Sequence, residues 1–414
     1  WNTRPLLALA AALIVVFAAI LTALYSDVLP DGTGGGYGSG ITPTPPPVTP
    51  APQVLPVPIT ADNAATLSEV ARLGRGAAHQ VLWSPDGASL ALVGTSGVWV
   101  YAANDLSQPP EWIDVPYLVA AHYLANGEIA ALIADAAGNG TRFVNLSTGE
   151  TIVAVPVLED AQLILPTLSH DGRTLTASTF DGTVFVWDTA SGEVVARLLV
   201  NTNTPALSLT FSPDDTWLAA GATDSSVRLW HAPSGNWATV DGQSPLTLVS
   251  ALRSEADTPR LAFAAAGERL AVAIGDEVEI WEAATGDLLA TLAHNGTVMS
   301  AAFSPDGALL VTTYAGAGTA PFSAVMVWDV QAAAPLVSYP LDWAAVATFS
   351  PDGSRIAVSN ADGTVALFGY DAELPPLVEP LPEGIPSVMT ATPGMDAPDT
   401  PPDAGSSVVT ATPS

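Results

Sequence analysis

Five histidines, a recurring aspartate and four regularly placed tryptophans are the residues here that could do chemistry. A zinc-type site or a general base would need histidines at short fixed spacings. His79, His122, His170, His231 and His294 form no metal-spaced pair, and none begins an H-E-x-x-H run. No G-x-S-x-G elbow is present, so the strand-turn-helix serine nucleophile is missing. Cysteine is absent, which removes disulfides, thiolate metal sites and thiol nucleophiles together. The aspartates Asp86, Asp171, Asp214, Asp306 and Asp352 invite a calcium or paired-carboxylate reading. Each stands in a tight turn, however, where Asp bonds backbone amides two residues on and the following residue, Gly in four of the five and Asp215 after Asp214, takes the left-handed conformation. No catalytic residue, metal ligand or cofactor is therefore expected.

The elements that carry these residues recur along the chain. A short strand runs into a Gly-containing turn, a second strand follows, and a third ends at an aromatic or apolar residue. The third-strand endings are Tyr101, Val144, Trp187, Trp230, Trp281, Trp328 and Phe368, with steps of 43, 43, 43, 51, 47 and 40 residues. A period of about 40 to 45 residues holding four strands marks a propeller blade. The expectation is an all-β, seven-bladed β-propeller. Four turns read Ser-Pro-Asp, at Asp86, Asp214, Asp306 and Asp352, and three are weaker, at His170-Asp171-Gly172, Asn126-Gly127 and Ala266-Gly267. The third strands alternate, as in Val184/Val186 and Val325/Val327, which predicts one apolar face for each. Trp187, Trp230, Trp281 and Trp328 then pack between blades and do not form a binding stripe.

These residues resemble the WD40 family of β-propellers. Trp-Asp stands intact at Trp187-Asp188 and Trp328-Asp329 and is altered at Trp230-His231 and Trp281-Glu282. The bracing Asp of such blades matches Asp181, Asp224 and Asp362, and more loosely Asp276. The family's Gly-His pair is missing, with Ala78-His79 and Ala293-His294 as remnants, so the resemblance implies a His-Asp-Trp hydrogen-bond chain incomplete in every blade. The Ser-Pro-Asp-Gly turns are also similar to the repeats of periplasmic, bacterial TolB-type propellers. Ser68 to Leu73 repeats the outer strand Glu193 to Leu198, while the last copy stops at Phe368-Gly369-Tyr370. Leu67 to Leu73 is thus expected to close the ring as the fourth strand of the last blade.

Binding residues are sought in the loops leading to each first strand. Tyr117 and Trp343 share a position six residues before Tyr123 and Phe349; His79 lies four before Trp83, and Phe180 precedes Asp181. Aromatics on one rim suit a protein or peptide ligand, or pack against adjoining loops. The insertion Trp237 to Arg260 is a second candidate surface.

With 41 acidic and 11 basic residues, net charge −30, the 414-residue chain has no basic block to neutralise phosphates, and nucleic acid is not an expected partner. Pro5 to Tyr25 is uncharged and long enough, at about 1.5 Å per residue, to span a bilayer. Arg4 before it and Asp27 and Asp31 after it place the remainder outside the cytoplasm. The run exceeds the usual signal-peptide core, and no clean cleavage site follows. The expected organisation is a stub and transmembrane helix over 1–26, a Gly-rich then Pro/Thr-rich linker over 27–60, the propeller over 61–373, and a disordered Pro/Thr/Asp-rich tail over 374–414. The leading expectation is a single-pass, cell-membrane, extracytoplasmic interaction or sensing scaffold without catalysis of its own. Two alternatives stand: a propeller hydrolase or lyase with a channel site, and the sensor portion of a transmembrane serine/threonine kinase, to which WD40-like propellers are similar. Trp1 leaves room for such a preceding domain.

Overall fold

The computed structural model describes residues 57–74, 78–134, 141–155, 163–200, 205–222, 224, 226–240, 244–249, 259–316, 323–341, 344–360 and 363–370. The expected helix over Pro5 to Tyr25, the linker up to residue 56 and the tail after residue 373 lie outside them. Among the described residues no helix is long and apolar enough to cross a membrane.

Seven four-stranded antiparallel sheets form the ring. Their first strands are Gln80–Trp83, Leu118–Tyr123, Leu163–Leu168, Ala206–Phe211, Arg260–Phe263, Gly296–Phe303 and Ala344–Phe349, for blades 1 to 7. First strands of neighbouring blades touch, so they make the inner ring. Side chains stitch that ring together. Gln80 Oε1 accepts the Ala121 N–H at 2.9 Å, and Ser300 Oγ accepts the Ala347 N–H at 3.0 Å.

Closure follows the expected route. Ser68–Leu73 pairs antiparallel with Val365–Gly369, from Ser68 opposite Gly369 to Leu73 opposite Val365, with a bulge at Val70. Blade 7 therefore takes three strands from the end of the repeat region and one from its start, which leaves no unpaired closing edge.

The core is divided among the seams, with one apolar cluster between each pair of neighbouring blades. Trp187, Trp230, Trp281 and Trp328 are all buried, each against the preceding blade. Alternate residues of one strand serve opposite seams. Leu270 and Val272 face blade 4, while Ala271 and Ala273 face blade 6. The third strands differ from expectation for this reason, since a blade stacked on both sides has no exposed face. Met326, Arg228 and Glu279 occupy positions alternate to the aliphatic ones, and all three are buried.

The turns show why Ser-Pro-Asp-Gly recurs. In blade 1 Ser84 Oγ donates to Asp86 Oδ1 at 2.6 Å and accepts the Ser89 N–H at 2.9 Å. The Ala88 N–H reaches the same carboxylate oxygen, and Gly87 sits at φ +69°. Hydrogen bonding, first from Ser84 and then from Ala88, holds the Asp86 carboxyl below the usual range. Ser169, Ser212, Ser304 and Ser350 repeat the arrangement and are equally buried. The aspartates that looked site-like are consumed by their own turns.

Candidate functional site

The antiparallel pairing gives the ring two faces. On the turn face lie the connections between first and second strands and between third and fourth. On the loop face lie the approaches to the first strands and the connections between second and third strands.

His79, Tyr117 and Phe180 all fall on the loop face. Tyr117 is 59 % exposed at φ +61°, a conformation costly for a residue with a Cβ, and its carbonyl accepts the Ala134 N–H at 3.0 Å. His79 is exposed and anchored by its own N–H on Val93 O at 2.9 Å. Desolvation by the surrounding protein lowers its imidazole pKa, partly offset by a hydrogen bond to the Val119 backbone. That bond sets blade 1 beside the blade 2 segment that carries Tyr117. Phe180 is partly buried in the second-to-third-strand turn of blade 3. Its neighbour Asp181 is braced locally, accepting the Thr179 hydroxyl at 2.5 Å and the Thr183 N–H at 3.0 Å. Trp343 lies outside the described residues.

Residues that the sequence did not single out complete this rim. In blades 2, 4, 6 and 7 the first strand shifts register so that Val119, Leu207, Met299 and Ala345 have no partner on the second strand. Each lies four residues before its strand's terminal aromatic, the offset that marked His79. Blade 3 has its bulge at Leu165 and Pro166, with Leu165 at φ +55°. Bulges of this kind re-aim side chains at the ends of sheets. Val119 is 49 % and Leu165 37 % exposed, both apolar.

The insertion Trp237 to Arg260 behaves differently from expectation. Its start is a 3-10 turn, Trp237–Val240, with both end residues buried, and Trp237 meets Phe211 edge-on at 5.6 Å. Leu246–Val249 is the fourth strand of blade 4. The described parts therefore belong to the blade, because a buried tryptophan and an outer strand were needed there. Residues 250–258 lie outside the description.

The turn face is polar. A cleft of about 450 Å³ opens there between the blade 5 and 6 turns and the segment at Thr60, bordered by Glu268, Asp306 and Asp329, with Arg269 as its one cation. The Arg269 guanidinium is turned to the Gly307 carbonyl at 3.4 Å. Among the described residues no group of three or more His, Asp or Glu side chains is placed to hold a metal ion.

The histidines divide into structural parts. His170 and Asp215 join the blade 3 and blade 4 turns. Asp215, at φ +58° where six other turns have Gly, accepts the His170 and Asp171 N–H groups at 2.9 Å and meets His170 Nδ1 at 2.8 Å. Burial, then the nearby His170, pushes the His122 imidazole down to about 4. In blade 6 the hydrogen-bond chain expected to be incomplete everywhere is made with threonine as its relay. Trp328 Nε1 donates to Thr312 Oγ1 at 3.1 Å, Thr312 lies 2.8 Å from His294 Nε2, and His294 Nδ1 lies 3.2 Å from Leu292 O. The carbonyl can only accept, so Nδ1 carries the proton and Nε2 accepts the threonine hydroxyl. Burial lowers the His294 imidazole to about 4, which keeps the relay neutral.

The family model for the WD domain, G-beta repeat, matches residues 167–188, 193–231 and 286–319. No curated protein matches the chain. The matched segments run through blade 3, into the third strand of blade 4, and from the blade 5 outer strand through the second strand of blade 6. The chain therefore carries WD40 repeats within a seven-bladed β-propeller whose ring is closed by its own first strand.

Proposed function

We propose that this propeller is a protein-interaction or sensing scaffold that takes a protein or peptide partner on its loop face. In this reading the helix Pro5 to Tyr25 holds it outside the cytoplasmic membrane, and the domain performs no catalysis of its own. One observation carries the reading: the exposed apolar side chains Tyr117, Val119 and Leu165 share one face, beside His79. Apolar residues grouped at a rim mark interaction sites more often than isolated ones. WD40 propellers commonly bind proteins, and the family match supports the same use here. Among the described residues, the two ends of the ring lie away from that face. Ile59 is tied to the Gly353 turn, its N–H 2.8 Å from the carbonyl, and Tyr370 follows the end of the last third strand. Both connections to the rest of the chain thus leave from the turn face. An excess of carboxylates favours partners with basic surroundings.

The test is photo-crosslinking on whole cells producing the chain, with the reactive residue at position 117 or, as comparison, at Glu150 on the turn face. Specific adducts from 117 and none from 150 are expected. Adducts only from 150, or none from either position, would remove the loop face from consideration.

A further inference from the structure

The ring closure has a mechanical property that follows from its topology. Ser68–Leu73 is held to Val365–Gly369 through five aligned residue pairs, and the pair nearest the turn face is Ser68 with Gly369. The chain continues from Ser68 back through a strap to Val57 and from Gly369 forward to Tyr370. Both continuations therefore leave the paired strands at the same end. A pull between them loads the outermost pair first and reaches the next only after the first has parted, as in opening a zipper. A pull along the strands in opposite directions would load all the pairs together.

Before the strands can part, the strap must lift. Ile59, Ala64 and Leu67 are buried in the seam between blades 6 and 7, and the Leu67 carbonyl accepts the Tyr339 hydroxyl at 2.5 Å. These contacts also act in series, because they follow one another along residues 59 to 67. No other blade lies across the same path, since each of the others takes its four strands from one continuous stretch of chain.

We propose that the closure is a tension-sensitive latch: force between the segments on either side of the propeller peels away the strap and then Ser68–Leu73, opening blade 7 while blades 1 to 6 stay folded. Opening uncovers the edge of Val365–Gly369, all five residues of which are buried when the ring is closed. An unpaired apolar strand edge is a template for a new strand, so the opened ring offers a binding surface that the closed ring hides. The latch does not depend on the loop-face reading.

The chain has no cysteine, so handles can be attached at chosen positions of the full-length protein. Val57→Cys with Tyr370→Cys pulls in the zipper direction, at two exposed sites. Val57→Cys with Thr364→Cys pulls along the strands, because Thr364 precedes the far end of the same third strand. In optical tweezers the first pair should show an initial reversible step of about 60 Å, the extended length of residues 57–73 at roughly 3.5 Å each. Lifting of the strap is common to both pairs, but the release of Ser68–Leu73 that follows should occur in the first pair at about half the force, or less, of the same release in the second, since hydrogen bonds loaded singly give way before bonds that share the load. Equal forces for the release of Ser68–Leu73 in the two geometries, or a first step that releases the whole propeller, would overturn the latch. Circular dichroism on both variants before attachment confirms that the forces are read from folded rings.

Discussion

The two faces of this ring are built from the same seven repeats and differ in what the repeats hold constant. On the turn face the same small device recurs: a buried serine, an aspartate that receives its hydroxyl, and a glycine at positive φ. On the loop face the corresponding positions change from blade to blade, as His79, Val119, Leu207, Met299 and Ala345. Where residues repeat, local folding accounts for them. Where they vary at a position the backbone repeats, local folding does not account for them, and the proposed recognition face lies there. The comparison predicts that substitutions in the shared interior and the turns cost stability, while substitutions on the loop rim cost binding.

The largest effect belongs to the interior that both faces share. Trp281 is 7 % exposed and packs with Leu229, Leu248 and Leu270 between blades 4 and 5. Trp281→Ala should cost about 3 to 5 kcal/mol, measured by chemical denaturation. A loss below about 1 kcal/mol would mean that the seam collapses around the gap.

Next comes acid. The His294 imidazole is held at about 4 in the folded ring by burial, below its ordinary value of 6.5. The unfolded chain therefore binds more protons between those values, and stability must fall as pH drops through that window. It is fully present above about 6.5 and loses no more from this group below about 4. The linked cost is on the order of 3 kcal/mol, and His122 adds a change of the same sign. Replacing His294 by Phe should flatten this part of the pH profile at the expense of the Thr312 relay. An unchanged slope between pH 4 and 6.5 would show that His294 is protonated while folded.

The turn face supplies a smaller test. Asp352 accepts the Ser350 hydroxyl at 2.6 Å, the Ser354 N–H at 3.0 Å and the Ser354 hydroxyl. Asp352→Ala removes these partners at a site open to water, and about 1 kcal/mol is expected. The same change at Ala266 is not available, since that turn keeps only its glycine and no side-chain cap. The difference between capped and uncapped turns should therefore appear as faster amide exchange around Gly267 than around Gly353.

Much of the ring was legible because a blade writes itself into sequence at fixed places. The third-strand endings gave the period, and the likeness of Ser68 to Leu73 to the stretch Glu193 to Leu198 gave the closure. The turn aspartates were legible for the same reason, as their partners lie two residues away. The buried serine was not, because its role depends on both sides of the turn at once. The loop rim was the least legible. A bulge such as that at Val119 is a property of two paired strands, and no single residue type announces it. Arg228 and Glu279 were hidden because their burial comes from the neighbouring blade, whereas strand periodicity describes only one.

The smallest expected change in stability is the one that separates the two faces most clearly. Tyr117 accepts the Ala134 N–H through its backbone carbonyl and leaves most of its ring in solvent. Tyr117→Ala keeps the backbone bond and keeps a Cβ at positive φ, so its unfolding free energy should lie within about 0.5 kcal/mol of the parent. Val119→Ser should behave alike, since Val119 is exposed and unpaired in the bulge. Both should nevertheless weaken capture of the loop-face partner, whereas Asp352→Ala should leave capture unchanged once its lower stability is allowed for. A rim substitution that costs as much stability as a turn substitution would return Tyr117 to the scaffold, packed against its neighbouring loops. The rim would then repeat the lesson of the turns, and the partner would have to be sought on the turn face.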